Sequence, residues 1–304
     1  MNSYLLVHPI NGLANRLRVL ISYKILSDAL ELPYYCYWKS GIGFDDTQLF
    51  ELLDNPNDQL GVTQIQDESE YLRNRMSSIQ LDKFVNGVSE TKINEKYIKL
   101  QNIYAKNFLE GKFKKVSVKS CNLPNWSYGK ILDQKIPNFK FEYKQIVKNL
   151  RVSKNVLETA GETLNKFSEN TLGVHIRRGD ACSIKNMKQR FHQDTLNNYI
   201  LDYMRSYKGN IFLSTDCENV KNVFKKNLGE KLIIYNKKFE QSVYGEQKLG
   251  QFDAMVELYI LSKTNQMLPT SPSSFGKFAS DMGGDLYNKN SCKIIEGFDE
   301  IVTW

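Results

Sequence analysis

Three polar clusters in the second half of the chain carry residue types suited to binding an anion. The first, His175-Ile176-Arg177-Arg178-Gly179-Asp180, ends the apolar run Leu172-Gly173-Val174. Two adjacent guanidiniums present planar forks of donors that match the oxygens of a phosphate or diphosphate. Strand alternation puts His175 and Arg177 on one face and Leu172, Val174 and Ile176 on the other. Basic residues at the carboxyl end of an otherwise apolar strand mark chain leaving the core for a crevice, where open α/β sheets bind ligands. Taken alone, the same residues would serve as a surface Arg pair bridged to Asp180.

The second cluster is Ser214-Thr215-Asp216, where Asp216 can accept from a base or ribose or cap the next helix. The third, Thr270-Ser271-Pro272-Ser273-Ser274, is a hydroxyl-rich turn opening a helix. Its hydroxyls and free N–H groups suit a diphosphate, and its plainer role is an N-cap. Asp253 lies among Phe252, Ala254 and Met255, where a partly buried carboxylate could accept from the N1–H and exocyclic amine of guanine. Near the N-terminus, Asn11-Gly12-Leu13-Ala14-Asn15-Arg16 joins a strand to a helix. A single Gly fails the dinucleotide fingerprint. Asn15 and Arg16 nonetheless fall in the first helical turn at the crevice rim, or simply cap a helix with Arg16 solvated.

These residues require strands that deliver their carboxyl ends to one place. The N-terminal stretch reads as a βαβ unit: strand 4–10, helix 13–31 and strand 34–38, with Leu13, Leu17, Leu20, Ile21, Ile25 and Ala29 at helical spacing. Residues 55–58 form a turn, and 113–118 a short basic strand. Asn122-Leu123-Pro124-Asn125-Trp126 is a loop, and 139–164 a helix containing a domain boundary. From there strands at 171–176, 210–214, 231–235 and 265–268 alternate with helices at 194–207, 218–228, 247–262 and 275–281. Residues 237–245 are a polar loop, and 292–295 a last strand. Such alternation predicts parallel, doubly wound sheets with right-handed crossovers.

Composition narrows the function. The chain of 304 residues can bury a large core and favours two domains. A net charge of +7, from 41 basic and 34 acidic residues, suits an anionic ligand but is too modest for a dedicated nucleic-acid binder. No apolar run is long enough to cross a membrane, and no basic, cleavable leader precedes Tyr4. Five widely spaced Cys (Cys36, Cys121, Cys182, Cys217, Cys292) read as free thiols of a reducing compartment, and three His make a metal site a weak expectation. The expected setting is cytoplasmic, bacterial or viral.

The segment His175-x-Arg177-Arg178-x-Asp180 resembles the H-x-R-R-x-D signature of the α1,2-, α1,6- and protein O-fucosyltransferase superfamily. Leu213-Ser214-Thr215-Asp216 is similar to its second motif. Asp253-x10-Thr264 with Thr270 to Ala279 is similar to its third, and Gly12-Leu13-Ala14-Asn15-Arg16 to its N-terminal G-x-x-N-[QR] segment. Order and spacing match over residues 4–38 and 170–285. The resemblance implies a GT-B-like α/β fold, with two Rossmann-like doubly wound domains facing a central cleft. Residues 1–150 would form the acceptor side and 151–304 the nucleotide-sugar-binding domain. It implies inverting transfer of fucose from GDP-β-L-fucose to a glycan hydroxyl without a metal. Arg177 would contact the β-phosphate and Arg178 would stabilise the site or the leaving group. His175 and Asp253 would read guanine, Ser273 or Ser274 would bind the diphosphate, and Asn15 and Asp216 would complete the donor site. The family's α1,6 members carry an acidic residue ten positions after the motif His; here Lys185 stands there. The general base is therefore unassigned, with Asp45 and Asp46 as candidates and Asp180 as a structural residue. The competing expectations are a transferase of similar fold using another nucleotide sugar, and a non-catalytic sugar-nucleotide or glycan binder.

Overall fold

The computed structural model describes residues 4–9, 12–31, 33–38, 47–70, 79–80, 115–120, 138–177, 193–237, 240–241, 247–248, 250–268 and 273–287. The chain divides into two compact units that part between Ser153 and Lys154.

The first unit has an all-parallel sheet of β1 (Tyr4–Pro9), β2 (Tyr34–Tyr37), β3 (Val62–Ile65), β4 (Ile79–Gln80) and β5 (Lys115–Ser120), in the order β3-β2-β1-β5-β4. Helix α1 (Leu13–Leu30) joins β1 to β2. It is buried nearly all round: Leu17, Val19, Leu20 and Ile21 are fully enclosed and Tyr23 almost so, whereas Ala29, expected on the apolar face, is exposed. A helix apolar on every side is one packed within a core rather than laid on its surface. It ends where Glu31 takes a left-handed conformation (φ 53°), before Pro33.

The expected turn at 55–58 is instead the start of a short helix. After α2 (Leu49–Leu52), α3 (Pro56–Leu60) begins with Asn55 at its N-cap and Pro56 in its first turn. A proline there gives up an N–H that no helix bond needs. The expected helix over 139–164 is two helices, α4 (Phe139–Lys148) and α5 (Lys154–Leu164). The segment between them is fastened to the first unit. Leu53 bridges Val152, Arg151 N–H donates to Gln59 Oε1 at 2.7 Å, and Ser153 Oγ donates to the Glu51 carbonyl at 2.6 Å. The Arg151 N–H and carbonyl and the Ser153 N–H, all bonded to residues 52–59, are backbone groups that a continuous helix would have used.

The second unit has a parallel sheet of β6 (Thr171–Ile176), β7 (Asn210–Thr215), β8 (Leu232–Ile234) and a later strand. A hairpin of β9 (Glu240–Gln241) and β10 (Gln247–Lys248) follows β8, and the last sheet strand is β11 (Gln266–Leu268). The sheet order is β11-β6-β7-β8. One face of β6 and β7 forms the core. Leu172, Val174, Ile176, Ile211 and Leu213 pack with Ile200, Leu201 and Met204 of α6 (Gln193–Ser206) and with Val220, Phe224 and Leu228 of α7 (Glu218–Leu228). Helix α8 (Gln251–Ser262) packs against α5 and against α9 (Ser274–Met282). The helix expected from residue 247 starts at Gln251, because Gln247 and Lys248 pair with Gln241 and Glu240 as the second strand of the hairpin. Gly173 is needed where α8 ends: a Cβ there would stand 2.7 Å from Thr264 Oγ1. Among the described residues no helix is long and apolar enough to cross a membrane.

Candidate functional site

Strand order locates the crevice of the second unit. From β6 the sheet proceeds through β7 to β8, and then returns to place β11 on the opposite side of β6. Connections leaving β6 and β11 therefore diverge, and ligands of open parallel sheets bind outside the carboxyl ends at such a switch. The described residues of two polar clusters, His175 to Arg177 and Ser273 with Ser274, follow those two ends, and Ser214 to Asp216 stands beside them at the end of β7.

At the end of β6, His175 is half-buried and Arg177 follows as the first residue past the strand, also half-buried. At the start of α9, Ser273 is the N-cap and its Oγ accepts from the Phe275 N–H at 3.3 Å. Ser274 opens the helix and is half-buried. The two ends meet through rings: His175 lies against Phe275 with centroids 4.8 Å apart and planes inclined by 30°. The backbone of α9 is close as well, since a Cβ on Gly276 would come within 3.7 Å of His175 Nδ1 and 2.7 Å of the Tyr287 hydroxyl. Burial, then the nearby charges of Arg177 and Lys237, push His175 down to about 3. The imidazole is neutral at working pH, so it offers one donor and one acceptor and no charge.

Register sets Ser214 of β7 beside His175, and Thr215 beside Ile176. Asp216, next along, is half-buried and is not the helix cap; Cys217 holds that position, with its N–H donating to Thr215 Oγ1 at 3.3 Å. Asp253 lies in the first turn of α8, half-buried, and its Oδ1 accepts from the Tyr235 hydroxyl at 2.7 Å. One turn on, Glu257 Oε2 meets Lys237 Nζ at 2.5 Å, with side chains only 4% and 3% exposed. Burial pushes the Glu257 carboxyl up, while Lys237 and a Ser214 hydrogen bond pull it back. Lys237, at the start of the expected polar loop, is thus buried and ion-paired rather than solvated.

Tyr235, Lys237 and Glu257 are the site residues that motif reading missed. Their partners lie 18 and 20 residues away, a separation with no pattern of its own. A signal existed at Glu257. It interrupts the apolar run of α8 between Val256 and Leu258, and a charge in such a helix needs a partner.

Asn15 belongs to the first unit, as the third residue of α1, and is half-buried. Beside it Arg16 departs from the solvated expectation. It is 1% exposed, and its guanidinium carbon lies 3.5 Å from the centre of the Trp38 ring. Burial pushes the Cys36 thiol up to about 12, against the lowering pull of Arg16. Arg178, Asp180, Lys185, Asp45, Asp46, the 122–126 loop and the strand expected at 292–295 lie outside the described residues. Among the described residues no three His, Cys, Asp or Glu group as metal ligands.

No protein-family model matches the chain, and no curated protein matches its sequence. Its fold does match solved structures. Fucosyltransferase NodZ from Bradyrhizobium aligns over 92% of this chain and 91% of its own, at 16% identity and a TM-score of 0.60. A mutant of Arabidopsis thaliana FUT1 in complex with GDP aligns over 93% of this chain and 69% of its own, at 14% identity and a TM-score of 0.58. POFUT1 in complex with GDP-fucose aligns over 94% and 97%, at 13% identity and a TM-score of 0.53. The family resemblance carried by the motifs thus has its counterpart in the fold, α/β with parallel sheets.

Proposed function

We propose that this protein is an inverting, metal-independent glycosyltransferase that moves L-fucose from GDP-β-L-fucose to a hydroxyl of a glycan. The observation that carries the reading is the convergence of His175 and Arg177 with the Ser273–Ser274 opening of α9 at the switch between β6 and β11. The likeness of fold to structures crystallised with GDP or GDP-fucose supports it.

In this reading the diphosphate sits over the N-terminus of α9. The Ser273 hydroxyl, although it accepts from a backbone N–H, still has its own proton to donate. Ser274 and the free N–H groups of the first turn add donors. Asp253 accepts from guanine N1–H and the exocyclic amine, the neutral His175 hydrogen-bonds the base, and Asp216 takes the ribose. Residues 1–150 supply the acceptor side of the reaction. The acceptor oxygen attacks the anomeric carbon from the face opposite the diphosphate. The bond from that carbon to the β-phosphate oxygen breaks, and GDP leaves with the electron pair. Arg177 opposes the charge that develops there, the role a metal ion would otherwise fill, and Arg178 stabilises the site or the leaving group. The acceptor's proton passes to a base to which no residue is assigned. A reducing, cytoplasmic setting suits the free thiols of Cys36 and Cys217.

A ligand that binds only the native state raises its melting temperature. GDP should raise it more than ADP or UDP at equal concentration. Equal shifts for all three nucleotides would remove the guanine assignment, and a preference for UDP or ADP would favour a transferase using another sugar nucleotide.

A further inference from the structure

Asp253 and Glu257 lie four residues apart on α8 and so share one helix face. Each is held by a partner from the segment directly after β8: Tyr235 donates to Asp253 Oδ1 at 2.7 Å, and Lys237 meets Glu257 Oε2 at 2.5 Å. We infer that Tyr235 is a positioning residue for nucleobase selection: its hydroxyl donates to one lone pair of Asp253 Oδ1 and so fixes the plane in which the carboxylate accepts from the base. The inference rests on the guanine reading of Asp253 proposed above and adds the residue that aims the carboxylate.

A carboxylate on a helix turns about its last two torsions and accepts from any donor within reach. A neutral donor at one oxygen removes that freedom without neutralising the charge. Tyr235 suits the task. It is 9% exposed, and burial together with the hydrogen bond to Asp253 pushes its hydroxyl well above the usual phenol range. It therefore remains a donor at every pH at which the protein works. The Lys237–Glu257 pair, with Ser214 also bonded to Glu257, fixes the second turn of α8 against the same segment. Helix and strand end thus cannot slide relative to each other without breaking a buried ion pair. Preorganisation of this kind acts on selectivity, because the ordering of the carboxylate precedes the arrival of the base.

The test is nucleotide affinity by calorimetry on the full chain, with GDP and ADP as probes, for the natural protein and Tyr235→Phe. The natural protein should prefer GDP. Tyr235→Phe should reduce the GDP-to-ADP affinity ratio by roughly tenfold, the loss of one aimed charge-assisted bond, with ADP binding nearly unchanged. In an Asp253→Asn background the same change should alter the ratio no further, because Tyr235 acts only through Asp253. A merely structural Tyr235 would weaken both nucleotides alike and leave the ratio intact, which would overturn the inference while the guanine reading stands. Equal GDP and ADP affinity in the natural protein would overturn both. If Tyr235→Phe fails to fold, Tyr235→His moves the donor to another place, and the ratio must fall there too; an unaltered ratio again overturns the inference.

Discussion

Lys237 Nζ stands 2.5 Å from Glu257 Oε2 with both side chains almost wholly enclosed. The pair joins the segment after β8 to α8 directly below the Asp253 carboxylate. Removing one member of such a pair leaves a buried charge without compensation, at about 3–5 kcal/mol. Lys237→Met should therefore destabilise the second unit heavily. Lys237→Met with Glu257→Leu should recover much of that loss, since apolar groups of similar volume need no partner. Urea unfolding measures both. A double variant no more stable than the single one would show that the pair does not act as a unit.

His175 links the site to pH. Its ring is held down to about 3 in the folded protein, against an ordinary value of 6.5. Between those values the unfolded chain binds the proton and the folded chain does not. Stability is thus complete above about pH 6.5 and falls as pH drops toward 3, by up to about 1.4 kcal/mol per unit from this group. His175→Gln should flatten that part of the stability–pH curve. An unchanged slope would mean that the ring titrates normally.

Two glycines should respond in opposite directions. A Cβ on Gly276 would stand 2.7 Å from the Tyr287 hydroxyl, beside His175, whereas one on Gly161, inside α5, would meet nothing within 4 Å. Gly276→Ala should cost about 1–3 kcal/mol through overpacking, and should weaken nucleotide binding by displacing the start of α9. Gly161→Ala should stabilise by about 0.5–1 kcal/mol, from helix propensity alone. Thermal melting with and without GDP reads both effects, and a tolerated Gly276→Ala with unchanged GDP affinity would separate α9 from the site.

Chelation offers a further check. If Arg177 stabilises the departing phosphate as proposed, excess EDTA should leave turnover intact. Loss of turnover restored by Mg²⁺ or Mn²⁺ would assign that work to a metal instead.

The second unit was the more legible half. Its strands are short apolar runs, and α7, expected at 218–228, has those bounds because Val220, Phe224 and Leu228 recur on one face. The polar clusters were visible because a His-Arg-Arg run or a Ser-rich turn is conspicuous after an apolar strand. In the first unit, α1 carries a buried Arg16 and an exposed Ala29, since packing on all sides erases the single apolar stripe. Strand β3 went unread: its central Thr63 and Gln64 give four residues no distinctive pattern. The hairpin that delays α8 is built from Glu240, Gln241, Gln247 and Lys248, polar residues whose pairing is decided by backbone bonds rather than side-chain type. Tyr235 and Lys237 gain their roles only when the fold brings α8 over the end of β8.

Arg177 is proposed to stabilise negative charge on departing GDP. That role is tested most directly by turnover of GDP-fucose over an array of glycan acceptors, for the natural protein and for Arg177→Ala, with a melting curve for each. The natural protein should release GDP coupled to fucosylated product. A folded Arg177→Ala should lose about 10²–10³-fold in turnover, as when one preorganised donor is removed. Arg177→Lys should rescue poorly, since an ammonium lacks the bidentate fork. A well-folded Arg177→Ala that turns over GDP-fucose at nearly the natural rate would remove Arg177 from that role. A natural protein that binds GDP-fucose tightly yet transfers it to no acceptor would be a binder and not a transferase.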